Sequence, residues 1–209
     1  LLGAVSTIAL IAFSASPALA GGSTAGSSIT NNVSVSFDVG GVTQTAVTAS
    51  NTFTVDRKID VLVDFAGTAA TSVAPGAQNQ VLAFDVTNLS NAVVDIRLAA
   101  ALNAGNAANI ANFEVYRDTN GDRSLSAAEL AAGPITYLDE VAADGTVAVI
   151  VIADIGLGAV NGNEFDVVLT GTAREGGTAG TQGAAITQTA GANTAGVDTV
   201  FTDGAGTTD

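Results

Sequence analysis

The sequence predicts an all-β fold: an antiparallel β-sandwich with an N-terminal β-hairpin and an acidic loop inserted between two strands. Three observations lead there. Apolar residues alternate with polar ones over short runs, and clusters of Gly, Asn, Asp and Ser punctuate those runs. No stretch of the mature chain carries the sustained 3.6-residue apolar repeat of a long helix.

Residues 1–20 stand apart from that pattern. They carry no charge and open with an apolar run from Leu1 to Phe13, followed by Pro17 and by Ala18-Leu19-Ala20 ahead of Gly21-Gly22. This is the apolar region and small-residue cleavage site of a secretory signal peptide without its charged leading segment, with cleavage expected after Ala20. The run is shorter than the roughly 20 residues a bilayer span needs, so no membrane span is expected after cleavage.

Residues 21–58 are expected to form the hairpin region. Val33, Val35, Phe37 and Val39 alternate with Ser34, Ser36 and Asp38, Gly40-Gly41 supplies a two-residue turn, and 42–50 return as a Thr-rich strand. Phe53 and Val55 continue that strand up to the charged junction Asp56-Arg57-Lys58. The sandwich is expected over 59–172. Ile59, Val61, Val63 and Phe65 open it, and a Gly/Ala/Pro-rich connection spans 67–79. Leu82, Phe84 and Val86 then lead to a turn at 88–91. Val94, Ile96 and Leu98 face the core with Asp95 and Arg97 opposite; Phe113 and Val115 form a short strand, as do residues 135–138. The Val/Ile run 146–152 reads as a central strand covered on both faces, and Phe165, Val167 and Leu169 close the set. A helical turn fits 99–111 and 126–132. From 173 to 209 the composition turns to Gly, Thr, Ala and Gln, expected as a linker or the start of a following domain, with 197–201 as a candidate edge strand.

The acidic loop follows the Phe113/Val115 strand. Asp118, Asn120, Asp122, Ser124, Ser126 and Glu129 stand at positions 1, 3, 5, 7, 9 and 12 of a twelve-residue window. That is the ligand spacing of an EF-hand calcium loop, in which alternate oxygen donors wrap a hard cation and the last carboxylate binds through both oxygens. In such loops position 7 ligates through its carbonyl and position 9 often through water, which suits two serines. Position 8 is apolar Leu125. Position 6, normally glycine because the chain turns there at positive φ, is Arg123, at a cost of about 1–2 kcal/mol. A strand rather than a helix leads into the loop, which excludes a helix-opening sensor. The expected cofactor is Ca2+, bound weakly, on the order of 10⁻⁴ M as in extracellular modules. The alternative reading is a plain Asn120-Gly121 turn between strands, with solvated carboxylates around it and no calcium site. Asp139, Glu140 and Asp144 are expected in a solvated turn or near this loop.

Composition narrows the function. The chain has no Cys, His, Trp or Met and a net charge of −14. Histidine- and cysteine-based catalytic groups, zinc and haem ligation are therefore excluded. The acidity argues against nucleic acid and anionic membranes. An exported chain without disulfides gains from a metal clip. The glycines of 155–162 lack the spacing of a phosphate loop and lead into a strand. Carboxylate pairs such as Asp139/Glu140 and Glu164/Asp166 lie beside turns in a chain without tryptophan, so no enzyme is expected.

The blocks QVLAFDVTNLSN (80–91), EVYRDTNGD (114–122), GLGAVNGNEFDVVLTGTA (156–173) and VDTVF (197–201), with the hairpin sequence of 29–63, together resemble the Ig-like conserved-repeat modules, of the domain-of-unknown-function type, of bacterial surface proteins. The resemblance spans about residues 28–201. It implies an Ig-like β-sandwich, a secreted or cell-surface setting and no catalytic residues; the family form of the acidic loop usually has Gly where this chain has Arg123. The expected function is thus a non-catalytic exported structural module with one weak calcium site. Its partners would be other surface-protein modules or further copies of itself. A calcium-dependent adhesin or carbohydrate-binding module is the alternative, as is a filament subunit that assembles by strand addition.

Overall fold

Alternating apolar and polar residues become strands, and turn residues separate them, in the computed structural model, which describes residues 22–67, 70–191 and 193–202. The expected signal segment 1–20 lies outside the described residues. The strands are β1 (Ser28–Val35), β2 (Asp38–Val39), β3 (Val42–Thr43), β4 (Val47–Thr54), β5 (Arg57–Ile59), β6 (Val61–Phe65), β7 (Gln80–Asn88), β8 (Val94–Ala104), β9 (Ile110–Arg117), β10 (Tyr137–Val141), β11 (Thr146–Ile155), β12 (Asp166–Glu175) and β13 (Thr199–Phe201). One short helix, α1 (Ala127–Ala132), and a 3-10 turn at Ala107–Asn109 complete the described elements. The fold is all-β, and its larger sheets are antiparallel.

A four-stranded sheet in the order β6-β7-β11-β9 and a three-stranded sheet in the order β10-β8-β12 form the body. Their inward residues share one core: Val61, Phe84, Val86, Val149 and Val151 from the first sheet meet Val94, Ile96, Leu98, Leu138 and Leu169 from the second. The sheets approach closely at Gly171 of β12, where a Cβ would stand 2.9 Å from Val63 Cγ2 and 3.2 Å from Val61 Cγ1. Strand β11 is central, between β7 and β9. Its Val149 and Val151 enter the core, while Ile150 and Ile152 are buried on the other face with Tyr116. That double burial is why 146–152 reads as continuously apolar.

The turn after β7 is a buried polar knot. Asn88 is fully buried; its side-chain amide donates to the carbonyls of Ala92 and Val141, both at 2.9 Å, and its oxygen accepts the Ser90 N–H at 2.9 Å. The Ser90 hydroxyl bonds both the N–H and the carbonyl of Asp60. Asn91 accepts the Lys58 N–H and donates to the carbonyls of Ser23 and Asp56. One turn thereby holds the base of the N-terminal hairpin, the β5–β6 junction and the start of β8.

The N-terminal hairpin is formed by β1 and β4, paired in register from Ser28–Thr54 to Val35–Val47. At its tip β2 and β3 flank Gly40 and Gly41, both at positive φ (60° and 84°), as a type I′ turn requires.

Residues 173–202 pack on the body, and the edge strand expected at 197–201 forms as β13; residues 203–209 of the expected 173–209 linker or following-domain start lie outside the described residues. Strand β12 runs to Glu175, Ile186 is buried in the main core, and β13 pairs in parallel with β5. Arg57 fastens the pairing with a two-pronged contact to Glu175 (2.5 and 2.9 Å) and a bond to the Thr199 hydroxyl. Few apolar residues are needed there, because polar side chains and backbone groups supply the contacts.

Candidate metal centre

Strand β9 delivers the chain to Asp118, whose N–H donates to the Ala148 carbonyl of β11 at 3.0 Å. The Asp118 carboxylate is buried and turns back on the loop: Oδ1 accepts the Gly121 N–H at 2.7 Å and Oδ2 the Arg123 N–H at 3.1 Å. The next donors repeat the theme on a smaller scale. Asn120 Oδ1 accepts the Asp122 N–H, and Asp122 Oδ1 accepts both the Ser124 hydroxyl (2.8 Å) and its N–H (2.9 Å). Those two bonds from Ser124, the hydroxyl above all, hold the Asp122 carboxyl below the usual carboxylate range. Each short Asx side chain thus fixes the backbone two to five residues on, which is how the sequence writes a tight loop locally.

The loop closes at helix α1. Ser126 is its N-cap: the hydroxyl accepts the Glu129 N–H, and the Glu129 carboxylate returns to the Ser126 N–H at 2.9 Å, a complete capping box. The other Glu129 oxygen accepts the N–H (2.7 Å) and hydroxyl (3.1 Å) of Thr119. Position 12 is therefore clamped to position 2. The Ser126 N–H, then that of Thr119, bring the Glu129 carboxyl down from 4.5 to about 2.

Arg123 takes the backbone conformation a glycine would have had, with φ 62°. Its side chain leaves the loop and meets Asp85 of β7 with both prongs, at 2.7 and 3.0 Å. The Asp85 carboxylate raises the guanidinium pKa, and Asp118 adds to it from further off. The left-handed backbone costs about 1–2 kcal/mol, and a partly exposed two-pronged pair offsets up to about 1 kcal/mol of it. Leu125 packs against the Tyr116, Ile150 and Ile152 patch on the outer face of the four-stranded sheet. The apolar position 8 is the loop's anchor.

Asp118, Asn120, Asp122, Ser124, Ser126 and Glu129 therefore lie in one folded loop closed by helix α1. The donors are hard oxygens: both Asp118 oxygens and Glu129 Oε2 each accept one N–H and keep a lone pair for a cation, whereas Asp122 Oδ1 and Glu129 Oε1 accept two bonds each and would exchange one of them for the ion. This donor set suits calcium or magnesium rather than a softer metal. When bound, the ion would supply charge neutralisation and a rigid cross-link between the start and the end of the loop.

The sequence singles out Asp139 and Glu140 of a second acidic group but not its third member, Asp95. Asp95 of β8 and Asp139 and Glu140 of β10 bring carboxylate oxygens within 4.8 Å of one another, the one trio found so close among the described residues, and this group could hold a metal ion. Asp118, Asp122 and Glu129 are not drawn together that tightly. The three groups already have partners. Asp95, fully buried, accepts the N–H groups of Glu140 (2.9 Å) and Gly183 (2.8 Å). Glu140 accepts those of Gly177 and Thr178, and Asp139 that of Gly180. Asp139 and Glu140 thus sit with Asp95 against the 177–183 segment. A register shift between Leu138 and Val141, with Glu140 at φ 50°, places them there. The available signal was the run of glycines at 176, 177, 180 and 183, whose backbone can approach carboxylates closely.

Tyr116 is buried, and Tyr137 is half-buried. Among the described residues no helix is long and apolar enough to cross a membrane. No protein-family model matches the chain, and no curated protein or solved structure matches it.

Proposed function

We propose that this chain is a non-catalytic structural module of the cell exterior in which one calcium ion stiffens the 118–129 loop. The observation that supports this most strongly is the backbone at Arg123. Its φ of 62°, with Asp118 accepting the Gly121 and Arg123 N–H groups, gives the turn of a calcium loop in a chain without the customary glycine. Asp118, Asn120, Asp122 and Glu129 would bind through side-chain oxygens, Ser124 through its carbonyl and Ser126 through a water. With a Kd on the order of 10⁻⁴ M, the site would fill where calcium is millimolar, which suits a module of the cell exterior. Burial of Tyr116 beneath Leu125 removes one of the two tyrosines a sugar platform would use, which favours a structural role over carbohydrate binding. The Ig-like resemblance belongs to the same reading, supported by two antiparallel sheets around one core.

Calorimetric titration with calcium tests the assignment. Binding with one site per chain, lost in Asp118→Ala and kept in Asp139→Asn, is expected. Binding kept in Asp118→Ala and lost in Asp139→Asn would move the ion to the Asp95 group; no binding in the native chain would remove it altogether.

A further inference from the structure

The β1–β4 hairpin stands off the two-sheet body. Among the described residues its strands pair only with each other. At the base the Ala25 N–H reaches the Asn91 carbonyl and the Asn91 side chain reaches the Ser23 carbonyl. Residues opposite one another in an antiparallel ladder share a face. One face therefore carries the pairs Ile29–Phe53, Val33–Ala49 and Val35–Val47, with Asn31–Asn51 between them. The other face is entirely Ser, Thr and Asn.

The apolar face is bare. Val33, Val35, Val47 and Phe53 are between 51 % and 62 % exposed, and Phe37, Val39 and Val42 continue the exposure toward the tip. Together these side chains present on the order of 600 Å², the upper end of the largest apolar patch on an ordinary monomer. A two-stranded hairpin without a covered face is marginal in water. Two such faces brought together would bury about 1,200 Å², the lower end of a specific interface.

Charge selects the occupant. Residues 22–55 contain a single charged residue, Asp38, in a chain of net charge −14. Two copies repel one another through their acidic bodies but not through their hairpins, and the flat apolar face offers no charged group to recognise a charged partner. Its closest complement in length, width and polarity is itself, in the self-matching contact of a two-fold dimer.

We propose that the apolar face of the 28–54 hairpin is a self-association surface, covered by the same face of a second copy of this chain. The two hairpins stack as facing sheets about 10 Å apart. Asn31 and Asn51 supply a polar point that fixes their register, and the Ser/Thr faces stay in water. The contact does not involve the calcium loop.

Sedimentation equilibrium of the full chain tests this. A dimer is expected at concentrations up to about 0.1 mM, tightening from 0.1 M to 1 M salt as the Debye length falls from about 10 Å to about 3 Å. The double substitution Val33→Thr/Val47→Thr keeps shape and strand preference, leaves the melting of the body unchanged and weakens association about ten-fold or more. The chain has no cysteine, so single cysteines report the face directly: Ala49→Cys cross-links two copies on oxidation and Ser50→Cys, on the polar face, does not. A monomer at every salt concentration would overturn the proposal. So would association untouched by the double substitution, the outcome of strand addition to a body edge, or cross-linking through Ser50→Cys as efficient as through Ala49→Cys. The cysteine pair keeps the test decisive if the threonine variant loses its hairpin.

Discussion

Arg123 and Asp85 are joined by two nitrogen–oxygen contacts of 2.7 and 3.0 Å, from a loop backbone at φ 62° to the neighbouring strand β7. The residue standing where a glycine is customary thus ties the loop to the sheet, with its positive charge drawn onto Asp85 and still felt by Asp118.

Arg123→Gly should exchange that tie for an unstrained turn. Without calcium, the lost pair and the relieved backbone nearly cancel, leaving stability within about 1 kcal/mol of the native chain. With calcium, removal of a cation close to Asp118 should tighten binding about five-fold, near 1 kcal/mol. Asp85→Asn, which frees the guanidinium without removing it, should weaken binding instead. Calorimetric Kd values for the three proteins decide this.

The clamp made by Glu129 predicts a pH dependence. Its folded carboxyl is lowered to about 2 from 4.5. A depressed carboxylate contributes its full stabilisation above the unfolded value and loses it as pH falls through the folded one. Thermal melts in a chelator should therefore show the native chain losing its advantage over Glu129→Gln between about pH 5 and pH 2. A Tm gap that stays constant over that range would contradict the clamp.

Leu125 is the loop's apolar anchor on Tyr116, Ile150 and Ile152. Leu125→Ala should cost about 1–2 kcal/mol for a half-buried side chain. It should also speed amide exchange through 119–126 while leaving the main core protected. Hydrogen exchange read residue by residue distinguishes this local loosening from a global loss of stability.

Asn88 satisfies two carbonyls and one N–H inside the turn that holds the hairpin base and β8. Asn88→Ala should destabilise the body by about 2–4 kcal/mol, because buried polar groups lose their partners. The exposed Asn32 of β1 provides the contrast: Asn32→Ala should shift the denaturation midpoint by almost nothing.

Contacts close in sequence were legible and distant ones were not. The loop could be read because its six donors lie within twelve residues and its turns are made by side chains bonding backbone two to five positions away. Strand alternation located Phe84 and Val86, Val94 and Ile96, and the doubly covered 146–152 run. The same alternation misread Asp95. Standing opposite Val94 and Ile96 it looked solvent-facing, yet it is buried under Gly183, 88 residues further on. Arg57–Glu175, 118 residues apart, and the parallel β5–β13 pair were equally invisible. Periodicity says which face a side chain occupies but not which later segment covers that face, and a covering segment built from Gly, Thr and Ala carries no apolar pattern of its own.

The central claim is that calcium closes the 118–129 loop, and the melting temperature with and without millimolar calcium tests it most directly. For a Kd near 10⁻⁴ M, calcium at about 10 mM should stabilise the native chain by about 2.7 kcal/mol, a rise of several degrees. Asp118→Ala and Glu129→Ala should lose that rise. A native chain that melts at the same temperature in calcium and in chelator would contradict the account.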